Sequence, residues 1–339
     1  MESNILLSYI LPCYNTGKYV KECIESLYRQ NMNVGSFEVI VVNNATLDDT
    51  EEIVYSLMNI YKNVVYVKLD ENICSGGAYN SGLKVARGKY IQFVDSDDFL
   101  KDSVMGELVD KMEKENLEML YHNIDSFCDV RTLTHEDNLD YNGNILKPIS
   151  RTTGYGFMHQ VLEQLDFNKM PVPAYRKLIL KDFLLNNKLF FTPTTIGCDY
   201  LHNAQCLLFA NRVALIPKSI YMFRYNPNGV TKSKLNSAKI IFGLNNYSLA
   251  YNFVNRVCKD EIVKKCYQEN LISLINAYIG AMKYLDWQSK KQVYSKVVDF
   301  NLLKELSKGV LNRMIISTPV INKFLPTHML FNAIHLIRR

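Results

Sequence analysis

Along the first 125 residues the apolar positions switch between two periods. Continuous apolar runs at 6–12 (LLSYILP), 37–44 (FEVIVVNN), 63–69 (NVVYVKL), 89–95 (KYIQFVD) and 118–124 (EMLYHNI) have strand length and are rich in β-branched and aromatic residues. The stretches between them carry helical spacing. Residues 17–30 place Val20, Ile24 and Leu27 on one face, and residues 48–62 open on acids, as the positive end of a helix dipole favours. Residues 76–86 and 101–115 continue the alternation. Strands alternating with helices predict an α/β fold with a doubly wound, mostly parallel sheet, whose ligands bind outside the carboxyl ends of the strands. From 126 to 172 the pattern weakens among scattered Gly, Asn and Pro. Residues 174–191 read as helix and then extended chain, 199–212 as a helix, and 213–226 as short strands broken at Pro217. From Ser237 to Pro319 the chain reads as helical and poor in Gly. The pattern thus divides the chain into an α/β region, 1–235, with halves meeting near 125, and a helical extension, 236–339.

Composition changes this picture little. Of 339 residues, 48% are apolar and 22% charged, the balance of a globular chain. The eight cysteines form no CxxC pair, so neither a zinc site nor a disulfide framework is expected, and reduced, mostly buried thiols in the cytoplasm are. No basic segment precedes the apolar MESNILLSYILP, which reads as a first strand and not as a signal peptide. Charge matters more. The formal net of +5 lies entirely in the last stretch: Lys308, Arg313, Lys323, Arg338 and Arg339 meet no acid from Leu306 onward, and residues 1–305 balance. That excludes a general nucleic-acid surface. After Pro326, THMLFNAIHLIRR sets His328, Asn332, His335 and Arg339 on one helical face against a broad apolar remainder. Such a basic amphipathic tail is expected either to meet an anionic membrane from the cytoplasmic side or to pack on protein.

Candidate chemistry sits at the predicted strand ends. Asn15 follows the first strand, Asn43 and Asn44 the second, and Asp95, Asp97 and Asp98 the fourth, in YIQFVDSDDFL. Three carboxylates within four positions repel one another unless a cation offsets them. A P-loop is excluded because GxxxxGK[ST] is absent, and the first strand ends in PCYNTG where a dinucleotide site would have GxGxxG. Neither the Gly-rich basic loop of a nucleotidyltransferase nor the usual context of an aspartyl phosphatase is present. A divalent cation holding a nucleotide diphosphate remains, because Mg²⁺ or Mn²⁺ takes one or two carboxylates together with phosphate oxygens. By itself DSDD also makes a good loop and helix cap, Asn43 and Asn44 serve equally as turn residues, and Asp199 as an N-cap.

The order and spacing of several blocks resemble the family 2 glycosyltransferases of the GT-A fold. The blocks are ILPCYNTGKYVKECIESLYRQ, FEVIVVNNATLDDT, ENICSGGAYNSGLKVARGKYIQFVDSDDFL, AYRKLILKDFLLNNKLFF and YMFRYNPNGVTKS, within about residues 5–233. The chain is similar to the bacterial members that build surface polysaccharides. The resemblance makes 1–125 the nucleotide-binding half and 126–235 the acceptor side. It assigns Pro12, Tyr14 and Asn15 to the loop bordering the nucleotide, Asp95 to the ribose and Asp97 to the metal. It assigns Gly77 and Asn80 to the helix facing the diphosphate, Asp199 to the catalytic base, and Arg224 and Asn226 to the donor phosphates. Two residues depart from the family: Cys198 stands where an acid often precedes the base, and Asn43 where Asp usually meets the nucleobase. One amide oxygen satisfies uracil N3–H, whereas the two parallel donors of guanine suit a carboxylate, which points to a uridine donor.

The resemblance implies an inverting transfer, dependent on Mg²⁺ or Mn²⁺, from a UDP-sugar to a glycan or lipid-linked acceptor. The expected partners are the donor and that acceptor, with a peripheral contact to the inner face of the cell membrane and no nucleic acid; a homodimer is compatible with the sequence. The alternative is a degenerate nucleotide-sugar-binding or scaffold subunit without turnover, for which Asn43 and Cys198 speak.

Overall fold

The computed structural model describes residues 5–127, 146–164, 172–226 and 235–298, the side chains of 283 and 294–298 excepted. β1 (Leu7–Cys13) lies between β2 (Phe37–Asn43) and β4 (Tyr90–Phe93), parallel to both. β2 and β4 are buried at every position, which is why they read as unbroken apolar runs and not as alternating ones. β3 (Val64–Lys68) adds to β2 at the edge and is only half-buried. The connecting helices are α1 (Gly17–Tyr28), α2 (Thr50–Ile60) and α3 (Cys74–Val85), close to the expected spans.

Beyond β4 the sheet becomes mixed. β8 (Lys177–Leu180) pairs antiparallel with β4, and with β6 (Met119–Phe127) on its other side. β9 (Val213–Arg224) runs parallel to β6, and the short β5 (Phe99–Leu100) and β7 (Ile149–Thr152) run antiparallel to β9. The order is β3-β2-β1-β4-β8-β6-β9-β5, with β7 also on β9. α4 (Met105–Lys114), α5 (Gly154–Gln164), α6 (Lys181–Asn186) and α7 (Cys198–Phe209) complete this part.

Two expectations are corrected. The segment from 174 opens with a 3₁₀ turn, Ala174–Arg176, continues as strand β8 and turns helical only at α6. β4 offers a free ladder edge there, and Lys177, Leu178 and Ile179 are buried in it, so tertiary pairing overrides the helical look of the run. Residues 213–224 form one strand and not several. The register jumps from His122↔Ile216 to Asn123↔Ser219, so Pro217 sits in a bulge where its missing N–H costs no ladder bond. β5, β7 and α5 were not anticipated.

The chain divides into two compact units, 1–232 and 233–339. The second contains α8 (Ser237–Val257), α9 (Glu261–Ala281) and α10 (Trp287–Val298). Asn236 Oδ1 caps α8 by accepting from Lys239 N, and Asp260 Oδ1 caps α9 through Ile262 and Val263 N. Gly243 on α8 leaves room for the Tyr278 ring of α9, which a Cβ would approach to 2.6 Å. Among the described residues no helix is long and apolar enough to cross a membrane. The basic tail lies outside the described residues.

Candidate functional site

The carboxyl ends of β1 and β2 are stitched together by the loops that follow them. β4 stops pairing with β1 at Ile10↔Phe93, so Pro12 removes no bond on that side, and its carbonyl accepts from Ser96 Oγ at 2.8 Å. Tyr14 is 41% exposed at the rim. Asn15 has φ 54°, a conformation Asn tolerates, and its Oδ1 accepts from Leu47 N at 2.8 Å. Asp48 joins the two helix N-termini, accepting from Gly17 N at 2.9 Å and Thr50 N at 3.1 Å. Asn43 is buried. Its Oδ1 accepts from Thr46 N at 2.9 Å, and its Nδ2 donates to Tyr66 Oη at 2.7 Å, which in turn donates to Glu51. One lone pair of that amide oxygen is left over for a further donor.

The three carboxylates after β4 have different surroundings. DSDD is a β-turn closed by Asp98 N–H to the Asp95 carbonyl at 3.1 Å. Asp98 is buried and accepts from Tyr221 Oη and Arg224 N, each at 2.7 Å, so it holds the turn to β9. Asp95 accepts a short hydrogen bond from Tyr79 Oη, and its N–H donates to Tyr221 Oη at 3.0 Å. Asp97 stands at the turn's corner, half-buried, and no other side chain among the described residues donates to its carboxylate. Burial and the charge of Asp97 push Asp95 up to about 7, burial raises Asp97 against the opposing charge of Arg224, and burial with both neighbours raises Asp98 well above the usual carboxylate range. The turn is therefore short of positive charge.

That shortage tests the fit of a divalent cation. No group of three His, Cys, Asp or Glu able to hold a metal occurs among the described residues, so a cation here would need phosphate or water oxygens as well. One carboxylate with phosphate oxygens is an ordinary set for Mg²⁺ or Mn²⁺, and Asp97 is the carboxylate left over for it. Arg224 lies behind the turn. Its Nε donates to the Asp97 carbonyl at 2.8 Å, it pairs with Glu22, and its guanidinium lies 4.8 Å from the Tyr19 ring centroid and 4.6 Å from that of Phe127. Asn226 follows two residues beyond β9.

The third part comes from α3 and α7. A Cβ on Gly76 would lie 2.0 Å from the Thr192 carbonyl, so this glycine lets α3 press against the chain leading to α7. Gly77, the glycine singled out in the sequence, faces Ile73, the N-cap residue of its own helix. Asn80 is paired twice with the Phe191 backbone, accepting at 3.0 Å and donating at 2.8 Å. Asp199 lies in the first turn of α7, but the N-cap is Gly197, at φ 75°, so the capping alternative is not realised. Its Oδ1 accepts instead from Ala174 N at 3.1 Å. Burial raises the Asp199 carboxyl, and the Lys177 charge and the Ala174 bond oppose that rise. Asp95 and Tyr79 both feel the Asp199 charge, so the base candidate and the acidic turn share one rim.

Three contributors escaped the sequence reading: Tyr79, Tyr221 and Lys177. Lys177 had a signal, a lysine inside the apolar run KLIL, but that run read as helix. His202 stacks on Phe191 at 3.8 Å within an aromatic cluster that includes Phe93, as a core histidine would. A cleft lined by Tyr28, Val34, Ile60 and Tyr61 lies at the opposite, amino end of the strands and gathers no comparable chemistry.

The family profile described as Glycosyl transferase family 2 matches residues 8–181. The uncharacterized glycosyltransferase EpsJ of Bacillus subtilis (strain 168) is 29% identical over 293 residues, 80% of this chain and 78% of that protein. The poly(ribitol-phosphate) beta-N-acetylglucosaminyltransferase TarS of Staphylococcus aureus (strain Mu50) is 25% identical over 227 residues, 66% of this chain and 36% of TarS. In structure, S. aureus TarS 1-349 in complex with UDP-GlcNAc matches with a TM-score of 0.65 at 18% identity, over 90% of this chain and 83% of that one. The mannosyltransferase PcManGT of Pyrobaculum calidifontis, in complex with GDP-Man and Mn²⁺, matches with a TM-score of 0.54 at 14% identity, over 94% and 87%. At such identities the structures establish the fold.

Proposed function

Since the chain belongs to glycosyl transferase family 2, we propose that it moves a sugar, with inversion, from a UDP-sugar to a glycan or lipid-linked acceptor in cell-surface polymer synthesis. The observation that carries this reading is the rim itself: Asp95, Asp97 and Asp199 converge where burial disfavours their charges, and no other side chain among the described residues donates to the Asp97 carboxylate. Asp97 would hold Mg²⁺ or Mn²⁺, and Asp95 would face the ribose. A cation, when bound, neutralises charge on the diphosphate. Tyr14 and Asn15 border the nucleotide, with Pro12 and Asn43 behind them. Gly77 and Asn80 lie on the helix facing the diphosphate, with Asn80 fixing the neighbouring chain, and Arg224 and Asn226 belong to the phosphate side. Asp199 takes the proton of the acceptor hydroxyl as that oxygen attacks the anomeric carbon from the face opposite the leaving group. Burial strengthens this base by raising its proton affinity. A single displacement needs no nucleophilic Ser or Cys.

Uridine is favoured by the one lone pair of the Asn43 amide oxygen, and TarS, whose structure holds UDP-GlcNAc, supports that choice by analogy. The test is thermal shift with UDP or GDP, each with and without Mn²⁺. Stabilisation by UDP with Mn²⁺ of more than about 2 °C is expected, the size of ~1 kcal/mol in a domain this large. Stabilisation by GDP alone of the two would overturn the uridine assignment, and none by either would overturn donor binding.

A further inference from the structure

Lys177 opens β8 with its side chain fully buried. Lysines rarely take such a place, because an ammonium without water needs partners that repay its lost hydration. Its partners are specific. Nζ donates to the carbonyls of Val172 and Pro173, each at 3.0 Å, and lies 5.5 Å from the ring centroid of Tyr121 on β6. The carboxylate that feels its charge is Asp199, acting through space. The two carbonyls begin the turn whose next N–H, that of Ala174, donates to Asp199 Oδ1 at 3.1 Å. One lysine therefore fastens the turn that holds Asp199 and also presents a positive charge to it.

We infer that Lys177 is a positioning residue for Asp199: it anchors the 172–174 turn onto that carboxylate and presents its ammonium to it. This rests on the reading of Asp199 as the base. The other groups facing Asp199 are Asp95 from the turn after β4, Tyr79 from α3 and Cys198 from its own helix, and none of them supplies a cation. Around Lys177 stand Arg176, and Cys206 and His202 of α7. Burial lowers Lys177 to about 8, so at neutral pH it remains mostly cationic. The sign follows. Burial raises Asp199 and Lys177 opposes the rise, so loss of the positive charge moves Asp199 protonation to higher pH. A core that needed only filling would be served at least as well by an apolar side chain of that length.

Two substitutions separate the two roles. Lys177→Gln keeps donors for the carbonyls and removes the charge, and Lys177→Met removes both. The first measurement is carboxyl ¹³C NMR of aspartate-labelled full chain, with Asp199 assigned by comparison with Asp199→Asn. Its titration should move to higher pH in both variants. The second is UDP release from UDP-GlcNAc with Mn²⁺ from pH 6 to 9, beside calorimetric affinity for UDP. We expect kcat to fall at least ~10-fold at pH 6.5 and to recover towards wild type near pH 9, with UDP affinity unchanged. An unmoved Asp199 titration, or a loss of kcat equal at all pH values, would overturn the inference. So would failure of both variants to fold, which would leave Lys177 a structural lysine only. If Asp199→Asn keeps full turnover, it is the base reading that fails, while the NMR shift still reports the coupling of the two residues.

Discussion

At the scale of single residues, the acidic turn separates a structural carboxylate from those available for chemistry. Asp98 is engaged by Tyr221 and Arg224, whereas Asp97 receives no side-chain donor among the described residues and disfavours the charge on both neighbours. Asp97→Asn should therefore abolish Mn²⁺-dependent affinity for UDP and raise the melting temperature in chelator by about 2 °C, since one of three repelling charges is gone. Calorimetry and melting curves check both, and retained Mn²⁺ dependence would remove Asp97 from the metal's ligands. Asp199→Asn should keep UDP affinity and lose about 10²–10⁴-fold in turnover. Its amide oxygen still accepts from Ala174 N and Gly197 still caps α7, so melting should barely change. Asp95 and Asp97 could be placed by counting, because ligands bind at strand ends in a doubly wound sheet, whereas Asp199, in the first turn of α7, was singled out only through the family resemblance. What Asn43 and Asn80 bond was not legible. A sequence names the amide but not the backbone of Thr46 or Phe191 that folding brings to it.

At the scale of elements, the parallel half could be read off closely because β1, β2 and β4 are buried on both faces and α1 and α2 are amphipathic. The antiparallel additions could not. β5 has two residues, and β8 is a strand only because β4 and β6 offer it edges, so a local period carries no trace of it. The contact of α3 with the chain before α7 is likewise non-local. Gly76 N–H donates to the Thr194 carbonyl at 3.3 Å, and Asn80 holds Phe191 four residues later, one helical turn along. This zipper ties α3 to the chain that leads to Asp199. Gly76→Ala would drive a Cβ into the Thr192 carbonyl, where backbone must move. We expect a cost of about 1–3 kcal/mol in stability and a fall in kcat larger than the change in UDP affinity. Melting curves and donor kinetics measure these. An alanine variant as stable and active as wild type would show that α3 and the 191–194 segment are not rigidly coupled.

At the scale of the whole molecule, the first unit carries all the residues assigned to donor and acceptor chemistry, and the charge asymmetry of the sequence lies in the second. Residues 327–339 lie outside the described residues, so their role rests on the sequence pattern alone. As a helix these residues would rise only about 20 Å, too little to span a bilayer. Their apolar positions surround a polar stripe of His328, Asn332, His335 and Arg339, the pattern of a helix lying in the interface. Each basic residue near an anionic surface contributes about 1 kcal/mol, and Lys308, Arg313, Lys323, Arg338 and Arg339 together supply a few. A lipid-linked acceptor would make residence at the inner membrane face useful, because it confines enzyme and acceptor to one surface. The full chain should therefore sediment with phosphatidylglycerol vesicles, less with phosphatidylcholine vesicles, and less again at high salt as the Debye length shrinks. The double variant Phe331→Glu, Ile334→Glu should stay in the supernatant, its folding confirmed by an unchanged melting curve. Equal sedimentation of both proteins, or of neither, would instead place the apolar face of the tail against protein, within the chain or between two copies of it.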